Sequence, residues 1–280
     1  MDTIPPQMRW SDARQPGLRH YLRELWAFRE LVAAFVIRDL HVRYRQTVVG
    51  IAWVVIQPIA YMLVFSGFFF LLGRRTSDAQ APNPLLILSG AILWQVFAQG
   101  VQQSTLCLAN NRSLLTKTYF PRLLLPIAAV MTPLIDFAIG WCVLLLMSVC
   151  VGVPLRWTML ATPLIGLLVL AVTFTVGVWV SMLNALYRDV ASLVAFGLPL
   201  GLFATPVMFQ TSEVIRNETY RMIAAINPLV TIIDLFRAGW FGQPWPSLGM
   251  MLVSLASTVL VLMAGFKYFQ AKEDVVADRV

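Results

Sequence analysis

Residues 46–73 carry no charge at all, and they follow directly on a basic stretch, 38–45, in which polar and apolar positions alternate with helical spacing. A bilayer core about 30 Å thick needs roughly 20 apolar residues of helix to cross it. The junction therefore reads as a helix lying on a membrane surface and feeding a transmembrane helix. Further apolar runs follow the same rule, and the chain predicts six spans at about 51–72, 85–103, 123–151, 159–187, 190–209 and 248–268. The third is interrupted by Asp136. The fourth and fifth are separated only by Tyr187, Arg188 and Asp189.

Two other segments are too polar or too broken to cross. In the first, Leu25, Phe28, Val32, Phe35, Val36 and Leu40 recur at helical spacing, while Arg29, Glu30, Arg38 and Asp39 fall largely on other faces. That pattern predicts an amphipathic helix in the membrane interface. In the second, 213–245, short apolar runs are cut by Asn227-Pro228 and Gly242-Gln243-Pro244. It predicts short re-entrant helices dipping into the outer interface, with Trp240 and Trp245 as headgroup anchors. The fold class is thus an all-α integral membrane protein. Its six transmembrane helices are preceded by an N-terminal interfacial helix, with re-entrant helices before the last span. The expected organisation is a cytoplasmic segment at 1–50, one membrane domain at 51–270 and a cytoplasmic tail at 271–280.

Composition agrees: 59% of residues are hydrophobic, 12% are charged and the mean hydropathy is +0.74, far from soluble averages. The first 45 residues are polar and Arg-rich, so insertion is expected to use internal spans rather than a cleaved leader. The net charge of +7 is distributed like a topology signal. With the N-terminus in the cytoplasm, 15 of the 21 Lys and Arg fall inside. Both termini are then cytoplasmic. Nucleic acid is not an expected partner, because no soluble domain remains to carry a basic face. Membrane lipids are.

Chemistry is sparse. Only three lysines occur, Lys117, Lys267 and Lys272, and none completes a GxxxxGK[ST] phosphate loop. His20 and His41 make no metal-ligand cluster, and Cys107, Cys142 and Cys150 lack CxxC spacing and read as small apolar residues. Asp136 is the one ionisable group inside the spans, better suited to a packing hydrogen bond than to a proton relay. Neither an intramembrane enzyme nor a proton-coupled pump is favoured. A conduit moved by something else is left.

Several segments together resemble one family. The run from Arg38 to Trp53, RDLHVRYRQTVVGIAW, continuing through Pro58, looks like the start of the first span in permeases of type-2 ABC exporters. More narrowly it resembles those for O-antigen and related polysaccharides. Asn111-Arg112-Ser113-Leu114-Leu115 with Lys117-Thr118-Tyr119-Phe120-Pro121-Arg122 resembles that family's first cytoplasmic loop. Tyr187-Arg188-Asp189 resembles its second, and Asn227-Pro228 followed by Arg237 its segment before the last span.

The resemblance implies a homodimeric permease in the bacterial inner membrane, paired with two copies of an ABC ATPase. ATP and Mg would be bound by that partner, so this chain needs no cofactor and no metal of its own and is not itself an enzyme. The cargo implied is an undecaprenyl-diphosphate-linked glycan, and the pore would lie between the two permease copies. Asn111, Arg112, Ser113, Lys117 and Arg122 would lie in the loop that meets the ATPase, and the helix 28–44 would be a gate. Arg38, Arg43 and Arg45 could hold the diphosphate there, since guanidinium groups meet phosphate oxygens in pairs. Contact with bulk lipid phosphates would explain the same charges.

Trp53, Gln57, Tyr61, Phe65 and Phe68 or Phe69 recur every three to four residues along the first span. An aromatic, uncharged wall suits sugar faces, although the same rings could simply pack against lipid or helices. Thr173, Thr175, Ser181 and Asn184 suit helix contacts. Capsule, teichoic acid or a lipophilic drug stays open as cargo. An integral membrane enzyme of lipid-linked sugars stays open as a rival from another class.

Overall fold

The computed structural model describes residues 25–45, 50, 52–71, 83–117, 120–215 and 217–279. Among them every regular element is a helix. The interfacial helix α1 is Arg29–Arg45, and α2, Ala52–Leu71, is the first span. Between them Gly50 takes φ +55°, a left-handed conformation that glycine adopts without strain, with no atom within 4 Å of a Cβ placed there. α3 is Pro84–Asn110, opened by Asn83, whose side chain accepts from the Leu85 amide at 3.0 Å, and by proline in the first turn. The six-residue α4, Arg112–Lys117, forms the loop that follows.

The third span is one apolar run of 28 residues in two pieces, α5 (Leu124–Met131) and α6 (Pro133–Val151), joined at Thr132. Pro133 cannot donate the backbone bond that a continuous helix needs there. A 3₁₀ turn, Trp157–Ala161, leads into α7, Thr162–Leu186. α8 is Val190–Ala204, followed by the short α9 (Thr211–Val214) and α10 (Glu218–Ala224). α11, Pro228–Phe241, bends by 112° from α10, the geometry of a re-entrant hairpin. α12, Leu248–Arg279, contains the last span and stays helical through the expected tail.

Among the described residues five helices are long and apolar enough to cross a membrane, or six if the bent pair of α10 and α11 is taken as one span, and α8 is a shorter apolar helix of 15 residues. The expected fifth span, 190–209, is thereby corrected at its end. Helix stops at Ala204, and 205–210 folds back as a buried turn. The fully buried Arg237 of α11 organises that turn. It donates to the carbonyls of Pro206 (2.8 Å), Phe209 (2.8 Å) and Val207 (2.6 Å), and to Leu86 of α3 (3.0 Å). Spacing alone suggests that Arg237 pairs with Asp234 on its own helix. Asp234 accepts from the Thr211 hydroxyl at 3.0 Å and is also stabilised electrostatically by Arg237. Trp240, expected as a headgroup anchor, is fully buried and donates to Ser148 at 2.9 Å, while Trp245 is exposed as expected.

α3 is the axis of the bundle, with 72% of its apolar window buried. It crosses α7 through small residues on both sides. A Cβ on Gly100 would sit 2.4 Å from Thr173 Cγ2, and one on Gly177 would sit 2.7 Å from Ser104 Oγ. This reciprocal small-residue seam lets two membrane helices approach closely, where dispersion and short hydrogen bonds replace the hydrophobic effect. Asn184 of α7 extends the seam, donating to Thr105 of α3 at 2.8 Å and accepting from the Ala191 amide of α8 at 3.1 Å. The packing role expected of Thr173 and Asn184 is what they perform.

Gly177→Val should overfill this seam and cost about 1–3 kcal/mol. A lowered midpoint in thermal unfolding of the detergent-purified chain would show it. Gly67→Val, where a Cβ meets nothing within 4 Å, should leave the midpoint unchanged.

Candidate functional site

A cavity of about 880 Å³, lined by charged, amide and apolar side chains, opens between α1, the start of α2, the second half of α3 and α5. α1 forms one wall because its apolar positions Leu31, Val32, Phe35 and Val36, with Phe28 just before it, pack on a core that includes the end of α3, α5 and Phe120. Its Arg38, Asp39, Val42 and Arg43 are then turned to the cavity. The amphipathic reading of this segment holds.

Arg38 is fixed on three sides. Nε and Nη2 donate to Asp39 Oδ1 at 2.9 and 2.8 Å, Nη1 donates to Asn111 Oδ1 at 2.8 Å, and the guanidinium carbon lies 5.0 Å from the Phe35 ring centre. Asn111 is buried and occupies the joint between α3 and α4. Its amide donates to the Cys107 carbonyl at 2.8 Å, and its own carbonyl accepts from Leu114 and Leu115 at 3.0 and 3.1 Å. On the other side of α4, Phe120 meets Phe35 with ring centres 5.8 Å apart. Two segments that the sequence offers as separate features, the interfacial helix and the loop around Arg112, are therefore in direct contact. Arg112 and Ser113 are exposed, and Arg122 is half-buried. Arg45 and Lys117 are helical, but their side chains lie outside the described residues.

Arg43 reaches furthest inward. It forms an ion pair of 2.7 Å with Asp136 and donates to Gln99 Oε1. Asp136 lies twelve residues in from the start of α5, about 18 Å of helix, and its side chain is only 3% exposed. Gln99 lies eleven residues back from the end of α3, about 16 Å. The expected packing hydrogen bond at Asp136 is thus an ion pair, and its partner comes from the interfacial helix. Removing one member of a buried pair strands the other at a cost of about 3–5 kcal/mol. α1 is anchored inside the membrane domain rather than resting on it.

The aromatic stripe on α2 divides. Trp53, Gln57, Tyr61 and Phe68 are exposed, whereas Phe65 and Phe69 are half-buried against the core. Tyr61 and Phe65 stay near-parallel at 6.3 Å, and Phe68 meets Phe69 edge-on at 6.0 Å. The opposite face of α2, at Val54, Pro58 and Met62, packs inward. Gln57 accepts from Gln95 Nε2, which ties α2 to α3 through two amides.

Sequence reasoning passed over the α3 glutamines. Gln99, Gln102 and Gln103 all line the cavity, with Gln95 one turn further in. The signal was present: Gln95, Gln99 and Gln102 or Gln103 recur at helical spacing within an apolar span, a polar lane on one face. Among the described residues no group of three metal-ligating side chains occurs.

Comparison with known proteins fits this arrangement. Residues 30–241, about three quarters of the chain, match the family described as ABC-2 type transporter. The chain belongs to that family. It is a multi-pass membrane permease subunit. Among similar proteins, the O-antigen export system permease protein RfbA of Myxococcus xanthus is 27% identical over 260 residues, covering 92% of this chain and 98% of that relative. Two proteins of the same name from Klebsiella pneumoniae are 28% identical over 226 and 211 residues. They cover 78% and 74% of this permease, and it covers 85% and 79% of them.

The Arg38–Asn111 contact can be measured directly. Arg38 is partly exposed, so a double-mutant cycle of Arg38→Ala and Asn111→Ala should give a coupling of about 0.5–1 kcal/mol in the stability of the purified permease. Fully additive effects would mean that the two residues do not hold each other.

Proposed function

We propose that the permease is the membrane half of an exporter for a lipid-linked polysaccharide of O-antigen type, driven by ATP hydrolysis in separate subunits. One observation carries this reading: a cavity inside an apolar domain, walled by a helix whose arginines, held by carboxylates and amides, face a lane of glutamines. A cavity of about 880 Å³ takes a diphosphate and the first sugars of a glycan. Arg38 and Arg43 offer forked donors for phosphate oxygens, and Gln57, Gln99, Gln102 and Gln103 offer uncharged partners for hydroxyls. The resemblance of the segment 38–53 to polysaccharide permeases, and the printed names of the relatives, support the same cargo.

Two copies of the chain would form the pathway, with the open side of α2 facing its counterpart. Trp53, Gln57, Tyr61 and Phe68 would supply a wall on which sugar faces slide, and Phe65 and Phe69 would back it. Two ATPase subunits, holding ATP and Mg, would dock at Arg112, Ser113, Lys117 and Arg122, on the cytoplasmic side of the bacterial inner membrane. Both termini would share that side. Force applied to α4 has a short route to α1, through Asn111 to Arg38 and through Phe120 to Phe35. The interfacial helix and the loop would then move as one body.

In vesicles holding the assembled exporter, a cysteine replacing Ser113 should crosslink to the ATPase subunit. No crosslink from any position of α4 would reject the docking assignment. Tyr61→Ala should reduce glycan export several-fold at normal protein levels, scored by surface polysaccharide, while Phe65→Ala should lower the amount of folded protein as well. Undiminished export in Tyr61→Ala would leave the stripe as packing alone.

A further inference from the structure

We infer that Asp136 is a latch displaced by substrate: at rest its carboxylate holds Arg43, and the phosphate of an arriving lipid headgroup takes Arg43 from it. The inference rests on the proposed cargo and adds a residue and an event to it.

The position of Arg43 is the main argument. Its side chain lines the cavity and retains 27% of its exposure, while the carboxylate it binds retains 3%. The guanidinium therefore stands between an open polar chamber and a closed carboxylate. Asp136 borders a separate small void whose other walls are mostly apolar, among them Val54, Pro58, Ile92 and Val96. A ligand in the cavity can reach Arg43 without reaching Asp136. Carboxylate and phosphate present the same kind of oxygen pair to a guanidinium, so one can replace the other in the same fork. A diphosphate carries more charge than a carboxylate, and Arg38 with the cavity amides would add partners that Asp136 does not have.

The exchange has a mechanical consequence. Arg43 lies one and a half turns beyond Arg38 on α1, just before the chain turns at Gly50 into α2. While Arg43 is bound to Asp136, the inner end of α1 is tied to α6. Once phosphate takes Arg43, that end is tied to the cargo instead, while α1 keeps its Arg38–Asn111 and Phe35–Phe120 fastenings to the loop and its apolar packing on α5. A carboxylate that loses a guanidinium in this setting gains from any further donor within reach. Gln95 borders the same void, and its Nε2 now donates to Gln57. Turning that amide to Asp136 satisfies the carboxylate and releases Gln57 toward the cavity. Filling the headgroup site thus loosens both α1 and α2 at the place where the cargo must pass.

A latch and a merely structural ion pair respond differently to substitution. The test uses the whole exporter in nanodiscs, with undecaprenyl diphosphate as probe and undecaprenol as the uncharged control, read by stimulation of ATP hydrolysis. With its competitor removed, Asp136→Asn should need roughly ten-fold less undecaprenyl diphosphate for half-stimulation. Undecaprenol should stimulate neither protein. The reversed pair, Arg43→Asp with Asp136→Arg, keeps opposite charges in contact and should restore the amount of folded protein, but it should respond to the diphosphate at least ten-fold less. An unchanged or weakened response in Asp136→Asn would overturn the latch, as would a reversed pair that exports normally. If the unaltered exporter ignored the diphosphate but exported a different cargo, the proposed substrate class would fail and the latch with it.

Discussion

The Asp136 carboxylate is closed off among apolar spans, so the chain has to bring a counter-charge to it, and much of the structure follows from that requirement. A guanidinium taken into a low-dielectric region is tolerated only when ion pairs and hydrogen bonds replace its hydration. Asp136 and Gln99 do this for Arg43, and in doing so they fasten the interfacial helix to two spans. Arg38, closer to the loop, is held by Asp39 and Asn111. The helix is thereby attached at two depths, one tied to the membrane domain and one to the joint of α4.

The same constraint shapes the other end of the molecule. Arg237 is fully buried, and the partners found for it are four backbone carbonyls, three of them from the turn at 206–209. Buried carbonyls need donors, and the helix that would have supplied them ends at Ala204, so the guanidinium serves three in that turn. One arginine allows the chain to abandon helix inside an apolar domain. Gly90 completes the arrangement, because a Cβ there would sit 2.5 Å from the Val207 carbonyl and 2.8 Å from the arginine. Thus the buried Arg237 and the half-buried Arg43 serve opposite ends, one fixing backbone and the other standing beside an open cavity.

Spans, the interfacial helix and the re-entrant hairpin were legible because each is a local pattern: 28 uncharged residues, apolar positions at helical spacing, or an Asn-Pro break. The end of the fifth apolar run was not, since Ala204 to Phe209 reads as apolar and only Arg237, far along the chain, turns it into a loop. The Arg43–Asp136 pair joins residues 93 positions apart, and nothing near Asp136 names its partner. The arginines of the interfacial helix were visible as charges, but their separate attachments were not. The aromatic stripe was legible only as a spacing along α2. Its division into open and backed rings depends on where α3 lies, which the sequence of α2 alone does not contain.

The central claim is that the interfacial helix and the loop carrying α4 form one moving body. Paired spin labels on the assembled exporter test it, with Cys142 and Cys150 replaced and labels placed at Ile37 on α1, Ser113 on α4 and Leu167 on α7, all three exposed. Adding ATP should leave the 37–113 distance unchanged while the 37–167 distance shifts. A 37–113 distance that changes while 37–167 stays fixed would contradict the account.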